Sequence, residues 1–229
     1  MSIAENIARV RANIERAARE AGRDPAEITL VGASKMTDAA ACRAAIAAGI
    51  DALGENRVQE MTQKLSEHAY DGAPLHFIGH LQRNKAKLVV GKVALIESVG
   101  SPELLEIIDA LAGKLGVVQD ILLEVNVGGE AAKSGFSVRA LPAAAEAALS
   151  LPHVRMRGLM CIPPVADEPH GSRPYFEKVR SLYVDINEKM YHNKLDLISM
   201  GMSGDYEDAV RSGATMVRVG TAIFGARNY

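Results

Sequence analysis

Residues 28–49, Ile28-Thr-Leu-Val-Gly-Ala-Ser-Lys-Met-Thr-Asp-Ala-Ala-Ala-Cys-Arg-Ala-Ala-Ile-Ala-Ala-Gly49, contain one strand followed by one helix. The short apolar run 28–33 predicts a buried strand. The alanine-rich run 38–48 predicts a helix that ends before Gly49, because glycine commonly follows the last helical turn. This strand and helix form the repeating unit that decides the fold.

The same unit recurs along the rest of the chain. Further strands are predicted near 51–54, 75–79, 93–97, 120–126, 154–160, 195–199 and 215–219, and further helices over 57–68, 82–90, 102–115, 137–150, 173–191 and 205–212. Eight such units favour a closed (β/α)8 TIM barrel of the α/β class, in a single domain over residues 1–229. An open doubly wound sheet is the alternative. An extra amphipathic helix over 2–21, with a capping box at Ser2 and Glu5, precedes the units.

Composition argues against several classes of function. The formal net charge is -2, so nucleic-acid binding through phosphate neutralisation has no support. Cys42 and Cys161 are far apart, which argues against a disulfide scaffold or zinc ribbon and favours a reducing cytoplasm. No apolar run is long enough to predict a membrane span or an export signal. Charged outer helices leave no obvious large apolar patch, so we expect a monomer.

Two strand ends near the C-terminus open into small loops rich in hydrogen-bond donors. One apolar run stops at Gly201, Ser203 and Gly204, and the other stops at Gly220 and Thr221. Backbone N–H groups and hydroxyls beside helix N-termini favour an anion, because the helix start carries partial positive charge. The two loops therefore predict a phosphate site.

Lys35 directly follows an apolar strand, with only Ser34 as a polar residue before it. At the edge of an apolar barrel interior, desolvation lowers the pKa of an amine and makes it a nucleophile for carbonyl groups. A solvated lysine before the next helix is the alternative. The nearby phosphate loops favour the first interpretation, because pyridoxal phosphate needs both an aldehyde-capturing lysine and a phosphate cradle.

Arg218 lies two residues before Gly220 and shares its strand face, which points either into the barrel or out toward the helices. A structural salt bridge is the simpler role. If Arg218 points inward near Lys35, its guanidinium could only donate to a pyridine nitrogen. That nitrogen would then stay unprotonated, and the cofactor would be a weaker electron sink.

Other polar residues fall where strands end. The rim candidates are Ser34, Glu55, Asn56, His80, Ser98, Asn126, Met160 and Ser199. His76 and His80 are expected to be a satisfied strand-end histidine and a loop histidine, not a metal pair. Cys42 is expected to be a packing residue within a helix. Cys161 lies at a strand end, where its thiol could be exposed. Lys133 and Ser134 lie on a loop that could reach a ligand or simply be solvated.

Several motifs, taken in order, resemble the pyridoxal phosphate homeostasis protein family along the whole chain. They are Val31–Lys35, Gly54–Glu60, His76–Lys85, Lys133–Gly135, Arg157–Met160, Ser199–Ser203 and Val217–Gly225. The departures are Cys161, where alanine is common, and Leu75, where tryptophan is common. The resemblance implies a barrel like the N-terminal domain of alanine racemase, binding pyridoxal 5'-phosphate, the vitamin B6 cofactor.

The resemblance also implies roles for individual residues. Lys35 would hold the cofactor as an internal aldimine, Arg218 would face its pyridine nitrogen, and Asn56 would lie beside it. The phosphate would lie on Ser203, Gly220 and Thr221, with backbone help from Gly201 and Met202. The implied function is intracellular pyridoxal phosphate homeostasis, with release to pyridoxal phosphate-dependent apo-enzymes and without strong catalytic turnover.

Two enzyme hypotheses stand beside this binding function. A weak amino acid racemase would need a second acid/base, which in alanine racemase is a tyrosine from another domain. The tyrosines of this chain fall mostly in helices or at the terminus, and they are Tyr70, Tyr175, Tyr183, Tyr191, Tyr206 and Tyr229. The other hypothesis is a barrel enzyme that uses Lys35 on a different phosphorylated metabolite.

Overall fold

The strands of the computed structural model, which describes residues 1–130 and 133–225, pair in parallel around a closed barrel. The eight barrel strands are β1 (Thr29–Ala33), β2 (Ala52–Glu55), β3 (Leu75–Phe77), β4 (Leu95–Val99), β5 (Gln119–Asn126), β7 (Val154–Cys161), β8 (Leu197–Ser199) and β9 (Met216–Val219). The pairing of β4 with β5 closes the barrel, and the two-residue β6 (Phe136–Ser137) pairs only with β5. The predicted (β/α)8 barrel is confirmed, and the open-sheet alternative is wrong.

Helices surround the barrel. They are α1 (Ile3–Glu20), α2 (Ala39–Ala47), α3 (Val58–Ser66), α4 (Pro102–Leu115), α5 (Leu141–Leu149), α6 (Arg173–Met190), α7 (Tyr206–Arg211) and α8 (Thr221–Phe224), with 3₁₀ turns at Pro25–Glu27 and Arg83–Leu88. None of these helices is both long and apolar enough to cross a membrane, within the residues that the structure describes.

Two predicted helices differ from the structure. The helix predicted over 82–90 is a short 3₁₀ turn, whose start at Gln82 has no side-chain cap. The helix predicted over 137–150 starts only at Leu141, because Pro142 is tolerated in the first turn and not in a helix interior. Ser137, the first residue of the predicted helix, belongs to β6 instead.

Helix α1 lies outside the barrel and supports its C-terminal end. The predicted capping box at Ser2 and Glu5 is present. Asn6 Nδ2 donates to the carbonyl oxygen of Ile223 at 2.9 Å, which ties α1 to α8. Val10 and Ile14 are buried on the same face of the helix. The N-terminal helix therefore fixes the short helix that follows the last strand.

Side chains inside the barrel change from apolar to polar along the strands. The apolar layer consists of Val31, Ala52, Leu95, Leu122, Met160 and Met216. On three of these strands, the next residue on the same face is charged, because side chains alternate with a period of two. Those residues are Glu97, Glu124 and Arg218, and they are all buried. The barrel interior thus has an apolar layer followed by a polar layer, and the polar layer is the one nearer the C-terminal mouth.

Glu97 joins four strands of this polar layer. His76 Nδ1 lies 2.8 Å from Glu97 Oε1, and the Ser199 hydroxyl donates to Glu97 Oε2 at 2.6 Å. Arg218 Nη1 donates to Ser199 Oγ at 2.6 Å and lies 3.9 Å from Glu97 Oε2. Arg218 Nη2 donates to the carbonyl oxygen of Cys161 at 2.9 Å. Arg218 therefore points into the barrel, where its charge faces Glu97.

The environment of Glu97 favours its ionised form. Burial alone would raise the pKa of this carboxyl group, because desolvation disfavours the charge. The hydrogen bond from His76, together with the charges of His76 and Arg218, outweighs burial and holds the pKa of Glu97 below its usual value. The polar layer is thus built around a carboxylate.

We expect the Glu97→Gln variant to lower the free energy of unfolding by about 3 kcal/mol, because it leaves the buried Arg218 charge without its counter-charge. Urea denaturation at neutral pH measures this loss. Glu188→Gln, on the exposed side of α6, is the control and should change stability by less than about 0.5 kcal/mol. Equal effects of the two substitutions would contradict the role given to Glu97.

The Glu97 contribution should also depend on pH. Its pKa in the folded protein lies below the ordinary value of 4.5, so the unfolded state binds the proton more tightly. The stabilisation is therefore present above about pH 4.5 and is lost as the pH falls through the folded pKa. Wild-type protein should lose more stability than the Glu97→Gln variant over that acidic range.

Candidate functional site

Lys35 lies in the turn between β1 and α2, at the C-terminal mouth of the barrel. Its side chain is half-buried, and the preceding Ser34 is fully buried. Thr37 Oγ1 donates to the carbonyl oxygen of Ser34 at 2.7 Å, which closes the turn. Lys35 therefore lies at the rim where the sequence places it, four residues before α2 begins.

A buried polar cluster lies directly beneath this turn. Glu55 Oε1 accepts hydrogen bonds from the Ser34 hydroxyl at 2.6 Å, from Lys64 Nζ at 2.7 Å and from the Tyr70 hydroxyl at 3.0 Å. Burial and the charge of Glu55 raise the pKa of Tyr70, so the phenol keeps its proton and donates. Lys64 Nζ also donates to the carbonyl oxygen of Ser34 at 2.7 Å.

The sequence prediction missed Lys64, although its position carries a signal. The buried residues of α3 are Val58, Met61 and Lys64, which lie three residues apart on one helix face. A lysine in this apolar stripe needs a buried partner, because an unpaired charge is costly to bury. Glu55, which the sequence places at the rim, is that partner.

The two predicted phosphate loops meet. Ser203 Oγ accepts hydrogen bonds from the Gly220 amide at 3.2 Å and from the Ala222 amide at 3.3 Å. Thr221, between these amides, is exposed and starts α8. A methyl group added at Gly220 would lie 3.3 Å from the carbonyl oxygen of Ala33. Gly220 therefore adjoins the end of β1, close to the turn that carries Lys35.

Gly201 and Met202 connect β8 to Ser203. Gly201 has a φ of +89° and packs so tightly that a Cβ would lie 2.5 Å from Ala209 Cβ, so only glycine is accommodated. The Met202 amide donates to Asp205 Oδ1 at 2.7 Å. Met202 is 37% exposed.

Asn56 directly follows β2 and has a buried acceptor without a hydrogen-bond partner among the described residues. Within the described residues, Asn56 Oδ1 is buried and accepts no hydrogen bond. The Asn56 backbone fills the space beside Gly79, where a Cβ would lie 2.2 Å from the Asn56 carbonyl oxygen. Such an orphaned acceptor normally needs a donor from a ligand or a water molecule.

Arg218 and Cys161 resolve two questions that the sequence leaves open. Of the two directions considered for Arg218, the inward one is observed, and its side chain is only 3% exposed. The exposed thiol suggested at Cys161 is wrong, because the residue lies within β7 and is fully buried. Burial raises the pKa of the Cys161 thiol to about 12. The thiol is therefore inert. Cys161 binds Arg218 through its backbone carbonyl oxygen instead.

Glu124 is a further polar residue of the mouth that the sequence prediction missed. Its carboxyl oxygens accept the Ser134 hydroxyl at 3.0 and 3.1 Å. Burial raises the pKa of Glu124, and the hydrogen bond from Ser134 and the charge of Arg218 oppose this only in part. The signal in the sequence is its spacing, two residues after Leu122 on a barrel strand.

Two adjoining clefts open beside Glu124. One has a volume of about 500 Å³ and includes His80, Glu124, Asn126 and Ser134 in its walls. The other, of about 770 Å³, shares His80 and Ser134 and extends along the 3₁₀ turn toward the start of α4. The half of the mouth formed by β3, β4 and β5 is therefore open.

The remaining candidates have structural partners. His76 is the satisfied strand-end histidine that was expected, and His80 is an exposed loop residue. Asn126 Nδ2 donates to the carbonyl oxygens of Glu130 and Lys133, which closes the following loop. Ser98 donates to the carbonyl oxygen of Gly79. Cys42 is buried in α2, as predicted.

Comparison with known proteins identifies the family. The family model described as "Alanine racemase, N-terminal domain" matches residues 6–228. A curated relative from Aquifex aeolicus is 42% identical over 229 residues and is covered completely, as is this chain. A relative from Pseudomonas aeruginosa is 43% identical, covering 100% of this chain and 97% of its own length. Both relatives are named pyridoxal phosphate homeostasis protein.

Solved structures agree with this result. PipY of Synechococcus elongatus, solved with pyridoxal phosphate bound, has a TM-score of 0.85 and 34% identity, and the match covers 98% of this chain and 100% of PipY. Alanine racemase of Clostridium difficile has a TM-score of 0.72 at 15% identity, covering 95% of this chain and 58% of the racemase, so it shows the fold alone. The chain belongs to the pyridoxal phosphate homeostasis protein family, with the barrel of the alanine racemase N-terminal domain.

Proposed function

We propose that this chain binds pyridoxal 5'-phosphate in the cytoplasm and takes part in its homeostasis. Lys35 would capture the aldehyde, Arg218 would face the pyridine nitrogen and Asn56 would flank the ring. The phosphate would be held by Gly201, Met202, Ser203, Gly220 and Thr221. The names of the relatives and the pyridoxal phosphate bound to PipY support this proposal.

One observation carries the proposal, namely that the lysine turn and the phosphate loops lie on neighbouring strands. Strands β1 and β9 pair side by side, with Val31 opposite Arg218 and Gly32 opposite Val219. Lys35 follows β1, while Gly220 follows β9 and adjoins Ala33. An amine and an anion cradle thus share one rim, as a phosphorylated aldehyde requires.

The donor set fits the cofactor. Ser203 Oγ lies against the Gly220 and Ala222 amides, so a hydroxyl and two N–H groups of the kind that suits a phosphate are brought together. Asn56 has an unsatisfied acceptor at the same rim. When bound, pyridoxal phosphate supplies an aldehyde that condenses with amines and a ring that accepts electrons. Arg218 is a permanent cation that cannot give up a proton, so it can donate to the ring nitrogen without protonating it.

The tyrosines offer little support for racemase chemistry. Three of them donate to buried partners, namely Tyr70 to Glu55, Tyr183 to the Leu195 carbonyl and Tyr191 to the Ala145 carbonyl. Tyr206 accepts from Asn13 outside the barrel. Tyr229 lies outside the described residues. We therefore propose binding and release, with pyridoxal phosphate-dependent apo-enzymes as recipients, rather than strong turnover.

A second candidate function, weak pyridoxal phosphate-dependent amino acid chemistry, is favoured by Glu124. This carboxyl group is buried beside an open cleft of about 500 Å³. Its raised pKa means that it can hold a proton closer to neutral pH than an ordinary glutamate. Glu124 could therefore serve as the acid/base that the tyrosines do not provide.

We expect wild-type protein mixed with pyridoxal phosphate to show a visible absorption band, and the Lys35→Ala variant to lack it. Borohydride should fix the cofactor onto Lys35, as detected by peptide mass spectrometry. Lys92→Ala, on an exposed loop, should behave like wild type. If borohydride fixes the cofactor onto wild-type protein but leaves Lys35 unmodified, Lys35 is not the residue that captures the aldehyde. A protein that stays colourless but binds sugar phosphates would support the other phosphorylated-metabolite hypothesis.

We expect only slow exchange of the Cα proton of L-alanine in heavy water, and we expect Glu124→Gln to abolish it. The reason is that an amide cannot hold and return the proton. Proton NMR measures the exchange, with the exposed Glu146→Gln as control. Unchanged exchange in Glu124→Gln would remove Glu124 from the chemistry. Turnover of about 1 to 1000 per second would contradict the binding function instead.

A further inference from the structure

Two side chains of α3 hold the backbone on both sides of Lys35. Lys64 Nζ donates to the carbonyl oxygen of Ser34 at 2.7 Å, just before Lys35. The amide of Met36, just after Lys35, donates to Glu60 Oε2 at 2.8 Å. The turn is therefore attached to a single helix at both of its ends.

The ion pair beneath the turn is almost completely buried. The Lys64 and Glu55 side chains are 6% and 0% exposed, and their charged atoms lie 2.7 Å apart. A buried ion pair adds little net stability, because desolvation offsets the attraction between the charges. It does set geometry, since each charged atom must keep its partners. Here those partners are the hydroxyl and the carbonyl oxygen of Ser34.

The turn needs such support because its conformation is strained. Met36 has a φ of +61°, in the left-handed region that residues with a side chain seldom adopt. Met36 is 46% exposed, so packing offsets the strain only in part. The hydrogen bond that the Met36 amide donates to Glu60, together with the contacts of Ser34, holds the turn.

We propose that Glu55, Lys64 and Glu60 are positioning residues for Lys35, which keep its turn ordered before any ligand arrives. This inference rests on the proposed role of Lys35 as the amine that condenses with an aldehyde and releases one water. A disordered turn would have to be ordered during binding, which would weaken affinity on the order of tenfold or more. The three residues contribute through Lys35 and not through the phosphate loops.

The test compares two ligands that differ only at the reacting group. Pyridoxal 5'-phosphate has the aldehyde, whereas pyridoxine 5'-phosphate has an alcohol and cannot condense with Lys35. In the Glu55→Gln/Lys64→Met double variant, no lone charge is left buried, and Gln still accepts from Ser34 and Tyr70. We expect this variant to bind the aldehyde at least about tenfold more weakly and the alcohol as well as wild type does.

Asn187→Ala is the matched control for general destabilisation. Asn187 is buried on α6 and hydrogen bonds both backbone groups of Leu195, away from the Lys35 turn. Thermal unfolding would verify that control and double variant lose comparable stability. The control should bind both ligands normally. Unchanged aldehyde affinity in the double variant, or an equal loss for both ligands, would overturn the positioning role.

A second readout needs no ligand. Reductive methylation with ¹³C-formaldehyde labels lysine amines, and the Lys35 resonance should be resolved from those of exposed lysines in wild type. In the double variant, the Lys35 resonance should move toward the resonances of the exposed lysines. If the double variant does not fold, the Glu60→Ala variant should show the same movement. An unmoved resonance would contradict positioning. Wild-type protein that binds neither ligand would instead refute the proposed function, and the resonance would still test the turn.

Discussion

The neutralisation of one buried cation organises the mouth of this barrel. Arg218 is enclosed by the polar layer, where Glu97 faces its charge and Ser199 and the Cys161 carbonyl accept its hydrogen bonds. An isolated buried cation would cost several kcal/mol, so the groups around Arg218 must stay in place for the barrel to fold. They come from β4, β7 and β8, and they cross the interior from one side of the barrel to the other.

The same strands continue into the proposed phosphate cradle. β8 carries Ser199 and leads to Ser203, while β9 carries Arg218 and leads to Gly220. The Arg218 amide donates to the Gly201 carbonyl at 3.0 Å, which couples the two strand ends through the backbone as well. On the other side of β9, the Lys35 turn rests on its own buried ion pair. Two separate charged clusters therefore support the two parts of the proposed site.

Much of the fold could be predicted from the sequence, because apolar runs of strand length alternate with helical patterns. The 3₁₀ turn at Arg83–Leu88 and the late start of α5 were missed, since they depend on capping and on Pro142. The positions of Lys35, Arg218 and the two loops at the barrel mouth could be predicted, because each lies at or near the end of an apolar strand. Glu97 and Glu124 were missed because they lie within strands. Only the closed barrel shows that their side chains face its interior. Lys64 was missed because its partner lies on another element.

The state of the pyridine nitrogen tests the account most directly. If Arg218 is held as a fixed cation that faces the ring, as we propose, the nitrogen of bound pyridoxal phosphate must accept a hydrogen bond and stay unprotonated. The ¹⁵N chemical shift of cofactor labelled at that nitrogen, bound to wild-type protein at neutral pH, measures this state. We predict the shift of an unprotonated pyridine. The shift of a pyridinium ion would contradict the role of Arg218 and of the buried network that holds it.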